Sequence, residues 1–401
     1  MNQPRFRLAV APLRRGAERM PARSRPSVEQ VVAQLRPEEP LHCLRPATLR
    51  ANARAFVDAF PGETLYAVKC NPDPRVLALL WQGGVRAFDC ASPAEVALVR
   101  QLLPESAIHY MHPVKARGAI AEAWSRHGVR DFAFDSEAEL EKILAATAGG
   151  SDLGLILRLA LPKGEAALDL SGKFGAEPAL AAHLLRLARS RADRLGIAFH
   201  VGSQCTEPAA WARAIRLAGE VIARAGAKVD ILDVGGGFPV PYPGSAVPDL
   251  ARFMDAISGE AAALRTSLGT LAPARLWAEP GRVLVAAGIS VIVQVQARRG
   301  GMLHVNDGIY GSLSDAGALN WRFPVRLLRA SEAAPQDFGF FGPTCDSLDR
   351  MNGPFRLPGD VAEGDWIEIG QLGAYGATLR TAFNGFDRAR FVEVSDPPLL
   401  A

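Results

Sequence analysis

Lys69 ends a short apolar run in YAVKCNP, residues 66–72, and a turn follows it at once. A lysine there is either a solvated strand end or a buried amine with a chemical task, and the heptapeptide alone favours the first. Four other stretches bear on the choice. Gly235, Gly236 and Gly237 follow the apolar run VDILDV, so their backbone amides can approach an anion unobstructed, or they form a flexible turn. Neither GxGxxG nor a P-loop lysine is present, which excludes both nucleotide signatures. His200, in FHVGSQ beside Gly202 and Ser203, is a satisfied core histidine or the wall of a binding site. Glu279 and Arg282, in AEPGR, are a surface ion pair worth very little, unless their placement at a strand end gives them another part. Cys345 precedes Asp346 in FGPTCDSLDR. A carboxylate beside a thiol disfavours the thiolate, which suits a group that holds and delivers a proton more than a nucleophile.

The elements that must position these residues repeat from about residue 64: a strand-like run, a polar or glycine turn, then an amphipathic helical stretch. Eight such runs are legible: TLYAVK, VRAFDCAS, AIHYMHP, DFAFDS, GLILRLAL, GIAFHVG, KVDILDVGG and RLWAEPG. They predict a (β/α)₈ barrel, with a doubly wound open sheet as the alternative that periodicity leaves standing. In a barrel the strand C-termini share one face. The residues there are Lys69, Asp89, His112, Asp135, Arg158, His200, Gly235 to Gly237, and Glu279 with Arg282. After Arg282 the chain alternates apolar and polar residues without a long helix, which predicts an antiparallel β-domain. The run EEPLHCLRP before the barrel is a strand or a linker.

The expected division is therefore a basic, disordered extension over residues 1–36, a barrel over 37–281 and a β-domain over 282–401. Residues 1–36 hold eight arginines against Glu18 and Glu29, which leaves the remainder at −3 although the whole chain is +3. The body is mildly acidic and no nucleic-acid binder is expected. The basic start reads as an untethered tail, with a transit peptide or an arm for an anionic surface as alternatives. Five scattered cysteines without a CxxC pair suggest neither disulfides nor a metal site, and fit a reducing cytoplasm. No apolar run reaches the roughly 20 residues of a membrane helix.

Taken jointly, YAVKCNP, FDCASPAE, SGKFG, FHVGSQ, DVGGGFP, AEPGR, HVNDGIYGSL, FGPTCDSLD and EIGQLGAYG resemble the fold type III pyridoxal-phosphate decarboxylases, and within them the bacterial ornithine and ornithine/lysine decarboxylases. The resemblance spans residues 40 to 393. It implies pyridoxal 5'-phosphate as cofactor, a head-to-tail homodimer with shared active sites, and decarboxylation of L-ornithine to putrescine or lysine to cadaverine in polyamine biosynthesis. By the same resemblance Lys69 binds the cofactor aldehyde, His200 stacks on its ring and Glu279 holds the ring nitrogen protonated. Gly235, Gly236, Gly237, Ser203, Arg282 and Tyr375 cradle the phosphate, and Asp89 and Arg158 complete the cofactor site. Cys345 protonates Cα from the other subunit, and Asp346 meets the distal ammonium of a diamino acid. Lys173 and Asp349 pair across the dimer. After YGSL the chain reads SDAGALNW, so the second acid near the distal ammonium is not cleanly aligned, and Asp315 is the candidate. Decarboxylation of diaminopimelate or another diamine-bearing amino acid, or a non-catalytic role like that of the antizyme inhibitors, are the alternatives.

Overall fold

In the computed structural model, which describes residues 25–162 and 172–401, eight parallel strands close on themselves. After an opening strand β1 (Leu41–Leu44) they are β2 (Glu63–Ala67), β3 (Ala87–Cys90), β4 (Ala107–Tyr110), β5 (Asp131–Phe134), β6 (Gly154–Arg158), β7 (Arg194–Ala198), β8 (Ile231–Asp233) and β9 (Arg275–Ala278). Closure comes from β2 pairing β9, with Glu63 opposite Trp277 and Thr64 opposite Ala278, so the open-sheet alternative is excluded. Leu65, Ala87, Met111, Ala133, Ile156, Ala198, Ile231 and Trp277 fill the barrel. Their neighbours Tyr66, Phe88, Tyr110 and Phe132 pack outward on the helices. Both strand faces are dry, which is why these runs read as almost continuously apolar.

Polar residues at the strand exits set where the helices begin. Ser92 accepts a hydrogen bond from the Glu95 amide at the head of the helix Pro93–Leu102. Glu95 in turn accepts from the Ala91 amide at 2.6 Å. The turn behind Asp89 is thereby closed from both ends.

The second unit is a sheet of eight strands: β1 with β10 (Ile289–Arg299), β11 (Met302–Val305), β12 (Val325–Leu327), β13 (Pro335–Phe341), β14 (Arg350–Pro358), β15 (Trp366–Ile369) and β16 (Arg390–Glu393). It is mostly antiparallel, but β1 pairs β16 and β11 pairs β13 in parallel. The expected extension through residue 36 needs correction. Helix α1 (Val28–Leu35) opens on a capping box between Ser27 and Gln30. It buries Val28, Val31 and Val32 against Leu41, Ile292 and Val394. Residues 28–44 thus belong to the β-domain, and EEPLHCLRP supplies a strand. The rest of the expected basic extension, residues 1–24, lies outside the described residues.

Hydrogen bonds join the domains beside Lys69. Asn71 Nδ2 donates to the Gly373 carbonyl at 2.7 Å, and the Tyr375 amide donates to the Cys70 carbonyl at 2.9 Å. Among the described residues no helix is long and apolar enough to cross a membrane.

Candidate active site

The strand C-termini of the barrel open into a cavity of about 590 Å³ whose far wall is the β-domain. Lys69, Asp89, His112, Arg158, His200, Gly237, Glu279 and Arg282 line it, as their strand-end positions required. Asp135 does not: its carboxylate accepts the Gly175 amide at 2.9 Å and holds the loop that carries Lys173. Lys173 lines the cavity with its ammonium over the Phe174 ring at 5.0 Å.

Lys69 sits on a 3₁₀ turn, Val68–Cys70, rather than on the strand itself. Tyr66 Oη donates to the Asn71 carbonyl at 3.1 Å and Thr378 Oγ1 to the Cys70 carbonyl at 3.2 Å. The turn is fixed while the amine faces the cavity, its side chain 47% exposed and 3.2 Å from the buried Asp89 carboxylate. Asp89, with Glu279 nearby, holds the amine above the ordinary lysine range against the opposing effect of burial.

Glu279 is buried, and its Oε1 has no hydrogen-bond partner. Burial, with Asp233 and Asp89 close by, pushes its carboxyl well above the ordinary range. Asp233 ends β8 inside the motif DVGGGFP, yet sequence reasoning gave it no part. It is fully buried, accepts the Gly235 amide at 2.8 Å through Oδ1, and is pushed up to about 6, mainly by burial. Two neighbouring acids with unpartnered oxygens, Glu279 Oε1 and Asp233 Oδ2, favour a shared proton or a cationic ligand.

The glycines are demanded by close packing. A Cβ on Gly235 would stand 2.1 Å from the Phe199 carbonyl oxygen, and one on Gly237 2.3 Å from that of Gly202, both at positive φ. The loop they pack on carries His200 and Ser203. The Gly202 amide donates to His200 Nδ1 at 3.0 Å, and burial with Arg158 nearby holds the ring well below the ordinary histidine range. A neutral, flat imidazole results, suited to stacking. Gln204 exchanges two hydrogen bonds with Val240, at 2.8 and 2.9 Å, which locks this loop to the glycine turn.

Arg282 is held on several sides. Its guanidinium meets the Tyr242 hydroxyl at 2.9 Å and Asp315 Oδ2 at 3.1 Å, and lies 4.4 Å from the Trp321 ring and 5.0 Å from that of Tyr375. Tyr242 stands outside every quoted motif, and Trp321 closes the stretch SDAGALNW without having been given a part. Tyr375 adopts a left-handed φ of +62°, and its backbone N–H donates to the Cys70 carbonyl. Asp315 does reach the cavity, but as the counter-ion of Arg282 rather than as a free acid.

Cys345 and Asp346 lie on a loop of the β-domain outside the cavity of their own chain. Cys345 is the one exposed cysteine of the five. Asp346 accepts from the Tyr310 hydroxyl at 2.5 Å. Asp349, expected to reach a partner chain, is 2% exposed. Its carboxylate accepts the Ile309 amide at 2.8 Å and the Thr344 amide and hydroxyl at 3.1 and 2.7 Å. Within its own chain Asp349 is therefore an organiser of the Cys345 loop.

Residues 46–286 match the family described as pyridoxal-dependent decarboxylase, pyridoxal binding domain. The lysine/ornithine decarboxylase of Selenomonas ruminantium is 34% identical over 344 residues, covering 83% of this chain and 84% of that protein. Antizyme inhibitor 2 of Xenopus laevis is 32% identical over 360 residues, covering 83% and 76%. The crystal structure of the Vibrio vulnificus lysine/ornithine decarboxylase complexed with putrescine superposes with a TM-score of 0.77 at 31% identity, over 92% of this chain and 99% of that one.

Proposed function

Because the chain belongs to the pyridoxal-dependent decarboxylases, we propose that it decarboxylates a basic amino acid, preferring L-ornithine to give putrescine and turning over L-lysine more slowly. The observation that carries this reading is the buried Glu279 carboxyl, with Oε1 unpartnered, in the cavity that also holds the Lys69 amine. The residues fit pyridoxal phosphate. An orphaned acid suits a protonated ring nitrogen, the neutral His200 suits the ring face, and Ser203, the glycine turn, Arg282 and Tyr375 suit the phosphate. When bound, the cofactor supplies an aldehyde for the amine and an electron-poor ring that takes up the electron pair freed as carbon dioxide leaves.

The remaining work falls to the chain. Lys69 must lose a proton before its amine can bond to a carbonyl; the Asp89 carboxylate 3.2 Å away holds the amine in the cavity and favours its protonated form until a cationic ligand competes for that carboxylate. Glu279 ionises once a cation approaches, since attraction then offsets the desolvation that keeps it neutral. Arg158, which also lines the cavity, adds positive charge that favours ionisation of Glu279 and Asp233.

Cys345 and Asp346 cannot act on their own cavity from an exposed loop, so we assign them to the cavity of a second copy in a head-to-tail homodimer. There the Cys345 thiol protonates Cα and Asp346 receives the distal ammonium, whose desolvation would otherwise be costly. Lys173, at the cavity edge, lies at that boundary. The experiment is direct: purified, cofactor-loaded protein is given ornithine, lysine, arginine and diaminopimelate, carbon dioxide is followed and the amine is identified by mass. Cofactor binding without carbon dioxide from any of them would favour a partner-binding role instead.

A further inference from the structure

The loop that carries Cys345 is held by a residue outside the expected site. Asn384 sits in the turn Phe383–Gly385 with φ of +52°, a conformation asparagine tolerates better than most residues. Its Oδ1 accepts from the Cys345 backbone amide at 3.2 Å and lies 3.3 Å from Cys345 Sγ. A backbone N–H can only donate, so it fixes which end of the side-chain amide faces the loop. The sulfur then meets an oxygen, which it satisfies only as an S–H donor. Phe383 packs on the ring of Tyr310 at 4.8 Å, and Tyr310 donates to Asp346. Residues 383 and 384 thus buttress both members of the Cys-Asp pair.

We propose that Asn384 is a positioning residue for proton delivery, keeping Cys345 as an aimed S–H. The inference rests on the reading of Cys345 as the donor to Cα. A proton placed on Cα gives the amine and returns the cofactor unchanged. A proton placed instead on the former aldehyde carbon of the cofactor leaves the nitrogen there. Water then releases the substrate carbon as an aldehyde. In sum, amino acid and cofactor aldehyde give carbon dioxide, product aldehyde and cofactor amine. The substrate carbon loses the two electrons the cofactor gains, and no outside oxidant enters.

Asn384→Gly removes the acceptor and keeps the left-handed backbone, whereas Asn384→Asp keeps an acceptor. Two readouts apply: iodoacetamide labelling of Cys345 in cofactor-free protein, and the amine-to-aldehyde ratio of loaded enzyme. Asn384→Gly should label about three- to tenfold faster, the span expected for one lost hydrogen bond, and should shift product toward aldehyde with KM unchanged. Asn384→Asp should restore both. Wild-type values for the glycine variant in either readout would overturn the proposal, since faster labelling alone would make Asn384 a mere loop anchor. Cys345→Ala run alongside separates the two failures. If it too gives no extra aldehyde, the donor reading itself is wrong; if it does while Asn384→Gly does not, only the role of Asn384 falls.

Discussion

Asp315 offers the sharpest test, because two readings of it predict opposite losses. As a receiver of the distal ammonium it would matter to substrate; as the counter-ion of Arg282 it matters to the cofactor-free protein. Their side chains are 14% and 6% exposed at a separation of 3.1 Å. Removing one partner of such a buried pair costs about 3–5 kcal/mol. Arg282 keeps the Tyr242 hydroxyl and the Trp321 ring, which puts Asp315→Ala near the lower figure. In a two-domain chain of this size that is a fall of roughly 3–6 °C in the melting temperature of cofactor-free protein. The cofactor phosphate would replace the lost carboxylate, so loaded variant and wild type should melt nearly together. The cofactor-induced rise is then larger in the variant. Scanning calorimetry of both forms, with KM for ornithine and lysine, decides the matter. A KM raised more than tenfold with unchanged cofactor-free stability would refute the counter-ion reading and return Asp315 to the substrate.

Borohydride reduction of loaded protein followed by peptide mapping should find the pyridoxyl group on Lys69, and a label on another lysine would overturn that assignment. Subunits carrying Lys69→Ala and Cys345→Ala, neither competent to form the amine alone, should recover amine formation when mixed under conditions of demonstrated exchange; no recovery would mean that the site is built within one chain. The buried acids predict a pH effect of definite sign. Asp233, pushed up to about 6 by burial, and Glu279, raised further, are favoured in their neutral forms. Their stability contribution is present below the ordinary carboxyl range and is lost as pH rises through about 6 and beyond. Cofactor-free wild type should therefore lose more melting temperature between pH 5 and 8 than Glu279→Gln does, and equal losses would show that the folded Glu279 carboxyl is already ionised at pH 5.

The barrel was legible because buried parallel strands and amphipathic helices leave two distinct periodicities, and all eight strands stand where the apolar runs put them. The β-domain was less so. In β13 and β14, Phe338, Phe340, Met351, Phe355 and Leu357 are buried, but glycine and proline among them blur the alternation. Helix α1 is eight residues long, too short for periodicity to outweigh the arginines and prolines around it, although its capping box was readable.

The site shows a similar limit at the scale of single residues. A lysine at a strand exit and glycines after an apolar run have roles fixed by local chain geometry, so their positions could be read in order. An ion pair is a relation between distant segments: Arg282 meets Tyr242 from the connection after β8, and Asp315 and Trp321 from the connection between β11 and β12. Sequence can name Asp315 as an acid near the cavity but cannot say which cation has already claimed it. Asp349 is parallel, since the donors that occupy it, Ile309 and Thr344, come together only once the β-domain has folded. What a charged residue is free to bind depends on the partners the fold gives it first, and for Asp315 that partner is the arginine proposed to hold the cofactor phosphate.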